Sequence, residues 1–402
     1  PERHKSIRAV FDYSWNLLDK AEQLAFMNLS VFIGGFTRDS AQKAVGASLR
    51  VLTSLVNASL IHRSPNSGRY DVHELLRQYA EERLKDSGRY DQVYANYARY
   101  YLQFMAEREA DLQGKRQLGA LDEIEADFKN IRQVWRWAVT MGHTDLIAPA
   151  IESFHLFGLM RSYQEMCKKL FISARECFTQ ATHPALWAKL TVRFPMVDDS
   201  INDTYETCLT IARDHHDRLE EAYCLRTLGV SLAHHDENLA DGIPILEQSL
   251  ALYEQLGADF YAAQVMDDIA YAYTMADDAP NHLKYGEASL ALRRKIGDVV
   301  RTADVIMNLA SSHILNGNFR DVLIYYGEAE EIYRMTNNRG GLSHSYGLQA
   351  YAHYQLGDKE IAYQKAQKGY DIAVEVHDIE GHIYGANILS IWNIAYGDLQ
   401  KG

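Results

Sequence analysis

The sequence predicts a mostly α-helical protein with one β-hairpin near its N-terminus and an array of repeated helix pairs further on. Apolar residues recur at the three- and four-residue spacing of amphipathic helices. Only 7 of the 402 residues are Pro and 25 are Gly, which disfavours the many turns of a β-sandwich or barrel. Short sequence patterns also return about every forty residues in the C-terminal half, as in a helical solenoid.

The first sixty residues predict a series of short helices. Gly34-Gly35 interrupts the apolar periodicity, and Thr37 and Ser48 are capping residues placed where it resumes. The predicted helices cover residues 7–18, 24–32, 37–45 and 48–57.

A β-hairpin and one more helix complete this part of the chain. Residues 59–63 and 69–73 have strand character, and the turn between them contains Pro and Gly. The helix that follows covers residues 74–84. Helices followed by a two-stranded wing form the layout of a winged helix, which we assign to residues 1–86.

Charge is distributed unevenly along the chain, whose net charge is -13. The first ninety residues carry a net charge of +3, and all of the excess negative charge lies beyond them. A helix that reads DNA carries Arg, Lys, Asn or Gln on its exposed face, and the helix before the hairpin offers only Arg50 and Asn57. We therefore expect a packing module without nucleic-acid contact, and DNA binding stays open as the alternative.

The repeat array is defined by self-similarity at a spacing of forty residues. Residues 249–252 (Ser-Leu-Ala-Leu) return as residues 289–292. A small residue that lets paired helices approach closely recurs at Gly229, Ala270, Ala310, Ala350 and Ser390. These features resemble the tetratricopeptide repeat, in a form longer than the common 34 residues.

The resemblance to tetratricopeptide repeats extends over residues 220–402 and, more loosely, over helix pairs at 145–178 and 184–213. We therefore place a helical connector with a first divergent helix pair at residues 87–180 and the repeat superhelix at 181–402. The chain begins at Pro1 without an initiator Met. We expect it to be a piece of a longer protein, in which the array continues beyond Gly402.

A solenoid of this type presents the first helix of each pair along a concave groove. Counting from the small residue of each unit predicts a groove face of mixed Tyr, Arg, Asp and Asn, which suits a polar or peptide ligand. The groove candidates are Tyr223, Arg226, Gln264, Asp267, Tyr271, Asp304, Met307, Asn308, His344, Tyr351 and Tyr354. For any single one of them, packing between neighbouring helices is the alternative role.

The sequence contains no pattern typical of a catalytic centre. It lacks a G-x-x-x-x-G-K-[ST] loop and an H-E-x-x-H motif, and the two His-His doublets are not spaced to complete a metal shell. The four Cys residues form no C-x-x-C pair and predict reduced thiols in a cytoplasmic protein. We expect no enzyme activity, metal or membrane span in this chain.

Three stretches of the N-terminal part resemble one family. They are residues 1–18, residues 29–36 (Leu-Ser-Val-Phe-Ile-Gly-Gly-Phe) and residues 68–80, which contain Val72-His73-Glu74. They are similar to the segment after the nucleotide-binding core in STAND-type signal-transduction ATPases, more narrowly in bacterial regulators that join an NB-ARC-like ATPase to a winged helix and a tetratricopeptide sensor. Residues 125–132 resemble the connecting helix of the same proteins.

The resemblance implies that His73 contacts the β-phosphate of bound ADP and keeps the parent protein in its closed, resting state. The family's motif is Met-His-Asp, so this sequence departs from it at Val72 and Glu74. The alternative role for His73 is to cap the helix that follows it. We expect ADP or ATP with Mg in the parent and no cofactor in this chain.

The family resemblance implies a regulatory and sensory role. An unidentified inducer, either a small molecule or a protein, would bind in the repeat groove and release an intramolecular contact with the nucleotide-binding core. This chain would be monomeric, and the active parent would oligomerise. The alternatives are a DNA-binding transcription factor with a repeat effector domain and a passive tetratricopeptide scaffold.

Overall fold

The structure of the chain is a computed structural model. It describes residues 2–161, 163–194, 201–233, 239–376, 383, 385–387, 389 and 390. The chain forms two compact units, of which the first consists of Pro1–Leu112 and Gly119–Phe194, and the second of Gln113–Leu118 and Pro195–Gly402. The mostly-α fold with a helical-repeat array is confirmed. The domain boundaries placed after residues 86 and 180 stay predictions.

The first unit begins with the predicted series of helices and a two-stranded hairpin. Its elements are α1 (Glu2–Asn16), α2 (Lys20–Leu29), α3 (Arg38–Val45), α4 (Leu49–Asn57), β1 (His62–Arg63), β2 (Tyr70–Asp71) and α5 (Glu74–Asp86). The helices that follow are α6 (Tyr90–Glu107), α7 (Glu109–Leu112), α8 (Gln117–Met141), α9 (Thr144–Ile147), α10 (Ile151–Met160), α11 (Gln164–Cys177) and α12 (Pro184–Arg193), with a 3₁₀ turn at Ala148–Ala150.

Capping residues fix the starts of the short helices. Thr37 and Ser40 form a reciprocal capping box at α3, and the Ser48 hydroxyl accepts from Val51 N–H at α4. Asp19 and Glu22 form the same box at α2, a cap that the apolar pattern did not indicate. These helix starts therefore depend on local side-chain chemistry.

The hairpin is shorter than predicted. β1 pairs antiparallel with β2, but the N–H groups of Leu60 and Ile61 donate to the Leu55 carbonyl and so complete the end of α4. The helix expected over 24–32 likewise ends at Leu29, and Phe32 packs on the rings of Phe36 and Tyr97 beyond it. Backbone bonds to the end of α4 thus shorten the first strand, and the tertiary packing of Phe32 overrides the local periodicity at the end of α2.

The second unit contains the repeated helix pairs. Its helices are α13 (Ile201–Asp214), α14 (Arg218–Ala233), α15 (Leu239–Leu256), α16 (Asp259–Met275), α17 (Ala279–Ile296), α18 (Val299–Leu315), α19 (Phe319–Met335), α20 (Arg339–Leu356) and α21 (Lys359–Val376). Each even-numbered helix from α14 to α20 packs on the odd-numbered helix that follows it.

Close approach within the pairs is visible at the small residues. A Cβ atom on Gly229 would lie 2.8 Å from Cγ of Leu246, so α14 and α15 meet there only because the side chain is absent. Ser249 and Ser289, forty residues apart, donate to the carbonyls of Ala222 and Ala263 on the preceding helices, at 2.7 and 3.0 Å. Equivalent contacts between paired helices therefore recur every forty residues.

One predicted helix pair is divided differently. Residues 184–213 were expected to form one pair, but α12 packs on α10 and α11, whereas α13 packs on α14. The pair at 145–178 is present as α10 and α11. Across the part of the chain that the structure describes, no helix has both the length and the apolar character needed to cross a membrane.

Candidate functional site

Asn130 on α8 holds the loop that follows α2. Its side chain is fully buried, and Oδ1 accepts from the N–H groups of Ile33 and Gly34 at 3.0 and 3.3 Å. Nδ2 donates to the Gly35 carbonyl at 2.8 Å, and the Tyr97 hydroxyl donates to Oδ1 at 2.9 Å. One amide therefore satisfies three backbone groups of the Gly-Gly loop.

Asp127, one helical turn earlier on α8, holds the hairpin. Its carboxylate is buried and accepts a hydrogen bond at 2.6 Å from Arg69, the residue directly before β2. The Tyr101 hydroxyl donates to the same carboxylate at 3.0 Å, and Asn130 Nδ2 lies 3.2 Å from it. Burial raises the pKa of the Tyr101 hydroxyl well above its usual range, so it stays a neutral donor.

These contacts bring together three of the stretches that resemble the family. Residues 29–36, residues 68–80 and residues 125–132 meet in one buried polar network. Because Asp127 and Asn130 are buried, breaking one of these bonds costs more than the loss of a bond at the surface. The Gly-Gly loop, the hairpin and α8 are therefore held as one body within the first unit.

His73 lies at the start of α5 and caps it. Nδ1 of its exposed ring accepts from Leu75 N–H at 3.3 Å. An acceptor at Nδ1 places the proton of the neutral ring on Nε2. The capping role and an N–H donor at Nε2 are thus compatible in the same side chain.

Glu74, which stands where the family has Asp, pairs with its own helix. Arg77 and Gln78 donate to its carboxylate at 2.9 and 2.7 Å. The hydrogen bond from Arg77 lowers the pKa of Glu74 to about 2. Arg77 also donates to the Ser30 carbonyl at 3.1 Å, which fastens α5 to the end of α2.

The exposed face of α4 is short and nearly neutral. Arg50, Thr53 and Asn57 are exposed on it, and Leu49 is 42% exposed between them. Ser54, on the side facing α2, donates to Glu22 at 2.5 Å. Two polar side chains of base-reading type are therefore available on this helix.

The predicted groove residues lie at different depths in the second unit. Tyr223 and Gln264 are buried, so packing accounts for them. Tyr271, Asp304 and Asn308 are exposed. The half-buried members are Arg226, Asp267, Met307, His344, Tyr351 and Tyr354.

Two of the candidates belong to a network of charges on α14, α16 and α17. Arg226 donates to Asp268 at 2.5 Å and lies over the Tyr223 ring, 6.0 Å from its centroid. Asp267, the neighbour of Asp268, pairs with Arg293. Burial raises the pKa of Asp267 above its usual range, although the Arg293 charge opposes the shift.

Arg293 continues the network to the start of α18. Its side chain is 1% exposed and pairs with both Asp267 and Asp298, the latter fully buried. Asp298 caps α18, and its Oδ1 accepts from Gln117 Nε2 at 2.8 Å. Gln117 Oε1 in turn accepts from Val300 N–H at 2.9 Å. A continuous path of polar contacts thus runs from the groove residue Asp267 to the first residue of α8.

The candidates on α20 lie in a different environment. Tyr351 and Tyr354 pack on the small buried cluster of Ala350, Ala362 and Ala366. Met307 on α18 packs against the buried cores on either side of it. The structure thus places Arg226 and Asp267 in ion pairs with Asp268 and Arg293. It places Tyr351, Tyr354 and Met307 in apolar packing.

Sequence reasoning missed several residues of these networks. Arg293 lies on the second helix of its pair, outside the face that was counted, and Gln117 carries no pattern of its own. Asp127 and Asn130 were singled out only as part of a family-like stretch. Among the described residues, no group of His, Cys, Asp and Glu side chains could hold a metal ion.

Comparison with known proteins finds relatives that match part of the chain. No protein-family model matches the chain. A Mycobacterium bovis protein, provisionally named as an HTH-type transcriptional regulator, is 36% identical over 153 residues, which cover 35% of this chain and 17% of that protein. An uncharacterized M. bovis protein is 34% identical over 110 residues, covering 25% of this chain and 28% of that protein. The matches thus span less than a third of these relatives.

A solved structure covers nearly the whole chain. The STAND protein with a tetratricopeptide repeat sensor from Pyrococcus horikoshii matches 97% of this chain and 56% of its own, with a TM-score of 0.58 and 16% identity. At this identity the similarity shows the fold alone. The chain therefore shares its helical-repeat fold with that protein over the matched residues.

Proposed function

We propose that this chain is the regulatory and sensory part of a STAND-type ATPase of the NB-ARC-like class. The observation that carries the proposal is the buried network of Asp127 and Asn130, which joins the hairpin, the Gly-Gly loop and α8. Its residues come from the same stretches that resemble the family. The fold of the Pyrococcus protein supports the assignment.

In this proposal His73 holds the resting state. The chain contributes its exposed ring, whose Nδ1 is occupied by the Leu75 N–H and whose Nε2 is left as a donor. Such a donor fits a phosphate oxygen of ADP, which the parent's core would bind with Mg. The hydrogen bond from Leu75 N–H orients the ring at the helix start, which reduces the ordering that the donor needs on binding.

The repeat groove would sense the inducer. A ligand that contacts Asp267 would alter the balance of charge around Arg293, which also holds Asp298 and, through it, Gln117. Because this path is buried, its charges are poorly screened. Ligand binding would favour an open state of the parent that exchanges ADP for ATP and oligomerises, since the ligand binds the two states with different affinity.

The proposal is tested in the full-length protein by replacing His73. His73→Ala removes both the cap and the donor, whereas His73→Asn keeps a good N-cap and removes the Nε2 donor. We expect both variants to lose co-purified ADP and to show raised activity without inducer. His62→Ala, an exposed His on the hairpin, is the matched control.

The variant that retains the cap separates the two roles of His73. If His73→Asn keeps its ADP and its low basal activity while His73→Ala loses them, His73 acts only as a helix cap and the lock is refuted. Equal loss in His62→Ala would indicate a general effect of altering this surface, which also contradicts the proposal.

DNA binding is the second candidate function. The name of the Mycobacterium relative and the exposed Arg50 and Asn57 on α4 favour it. A gel-shift titration of the chain at several salt concentrations tests it. Specific binding that weakens steeply with salt and is lost in Arg50→Ala would favour this function over the first.

A further inference from the structure

A cluster of unpaired cations lies on α8 of the first unit, apart from His73. Lys129, Arg132 and Arg136 line a cavity of about 370 Å³ beside Tyr94 and Trp137. A second cavity of about 410 Å³ shares Arg136 with the first and adds Lys169 from α11. No carboxylate lines either cavity.

These cations form no ion pair, unlike many other Lys and Arg residues in the part of the chain that the structure describes. Lys129, Arg136 and Lys169 are exposed without a carboxylate partner, and Arg132 is half-buried with only the Met166 sulfur as a hydrogen-bond acceptor. By contrast, many arginines of the described residues are paired with Asp or Glu, as Arg69 is. Unpaired like charges that line one cavity repel one another, so an anion that enters it relieves the repulsion.

Helix geometry aligns the cations. Residues 129, 132 and 136 follow each other at three and four positions, which places them on one face of α8 along about 10 Å of its axis. Lys129 is further positioned by Gly34, because a Cβ there would lie 2.8 Å from Cβ of Lys129. The aliphatic stem of Lys129 therefore packs against the Gly-Gly loop that Asn130 holds.

We propose that these two cavities form a binding site for a ligand with two or more phosphate groups. Guanidinium groups bind phosphate oxygens in pairs, and the ammonium groups of Lys129 and Lys169 supply further positive charge at either end. A single small anion would meet only part of a 10 Å row of cations, whereas linked phosphates can contact several at once. The size of each cavity lies within the range of small-molecule sites. This inference does not depend on the proposed function.

The test is calorimetric titration of the chain with inorganic tripolyphosphate, pyrophosphate, ADP and orthophosphate at two salt concentrations. We expect tripolyphosphate and ADP to bind at least tenfold more tightly than orthophosphate. Tighter binding of ADP than of pyrophosphate would identify a nucleotide as the source of the phosphates, and equal binding would identify the phosphates alone as the ligand. Either result supports the site.

Two variants locate the site. Lys129→Gln with Arg136→Gln changes only exposed residues, and we expect it to weaken tripolyphosphate binding at least tenfold while the melting temperature stays unchanged. Arg38→Gln with Arg50→Gln removes the same charge from exposed, unpaired arginines elsewhere in the first unit and should change affinity less than twofold.

Three results would overturn the proposal. The first is no binding of tripolyphosphate at millimolar concentration. The second is equal loss of binding in both variants, which would indicate a non-specific effect of net charge. The third is a single-stranded oligonucleotide that binds more tightly than tripolyphosphate and depends on Arg136, which would assign the surface to nucleic acid.

Discussion

Replacing Asn130 by Ala probes the network that joins the parts of the first unit. The change leaves the Tyr97 hydroxyl buried without its acceptor and removes the bonds to Ile33, Gly34 and Gly35. It leaves the apolar packing of α8 almost intact. The loss of stability therefore measures the polar network directly.

The structure gives the size of the effect. A buried hydroxyl without a partner costs about 1–3 kcal/mol, and each lost bond to the partly exposed loop backbone costs about 0.5–1.5 kcal/mol. Water entering the space left by the amide reduces the total. We expect the free energy of unfolding to fall by about 4 kcal/mol. For a unit of this size that corresponds to a melting temperature lower by about 8–16 °C.

Tryptophan fluorescence during thermal unfolding is the suitable assay. Four of the five Trp residues, at positions 15, 135, 137 and 187, lie in the first unit. Asn57→Ala, at the exposed end of α4, is the control and should shift stability by less than about 0.5 kcal/mol. A shift for Asn130→Ala as small as that of the control would refute the role assigned to the network.

Two further predictions concern buried groups of the first unit. Cys177 is exposed, whereas the other three Cys residues are buried, and burial raises the pKa of the Cys167 thiol to about 12. We therefore expect mass spectrometry to find one alkylated thiol in the native protein and four in denaturant. Glu152→Gln should lower stability at pH 7 by about 3–5 kcal/mol, because it removes the carboxylate charge that pairs with the buried Arg193 guanidinium at 2.6 Å. Burial raises the pKa of Glu152, but the Arg193 charge outweighs burial and holds this pKa below its ordinary 4.5. In urea unfolding, the difference in free energy of unfolding between variant and wild type should therefore have its full size above pH 4.5 and vanish as pH falls through the lowered pKa. A difference that does not change with pH would contradict this prediction.

Features set by neighbouring residues could be predicted from the sequence. Thr37 and Ser48 cap the helices expected of them, and Gly229 lies where two helices meet closely. Each of these signals acts within one turn or repeats at a fixed spacing. The starts of α3 and α4 and the repeat period follow from them.

Features set by distant residues could not be predicted in this way. The bonds of Asn130 to Ile33 and Gly34 join positions nearly a hundred residues apart, and no periodicity contains them. Periodicity also predicts which side of a helix a residue lies on, but not how deeply its side chain is buried. Tyr223 was counted on the groove face for its position in the repeat, and its side chain is buried.

In the proposed function, this chain would keep a nucleotide-binding core in its ADP-bound state through His73. The most direct measurement is the dissociation rate of fluorescently labelled ADP from the full-length protein, compared between wild type, His73→Asn and His62→Ala. Loss of one charge-assisted hydrogen bond of about 1.5–3 kcal/mol predicts release from His73→Asn that is faster by about tenfold or more, with His62→Ala unchanged. Equal release rates in all three proteins would contradict the account.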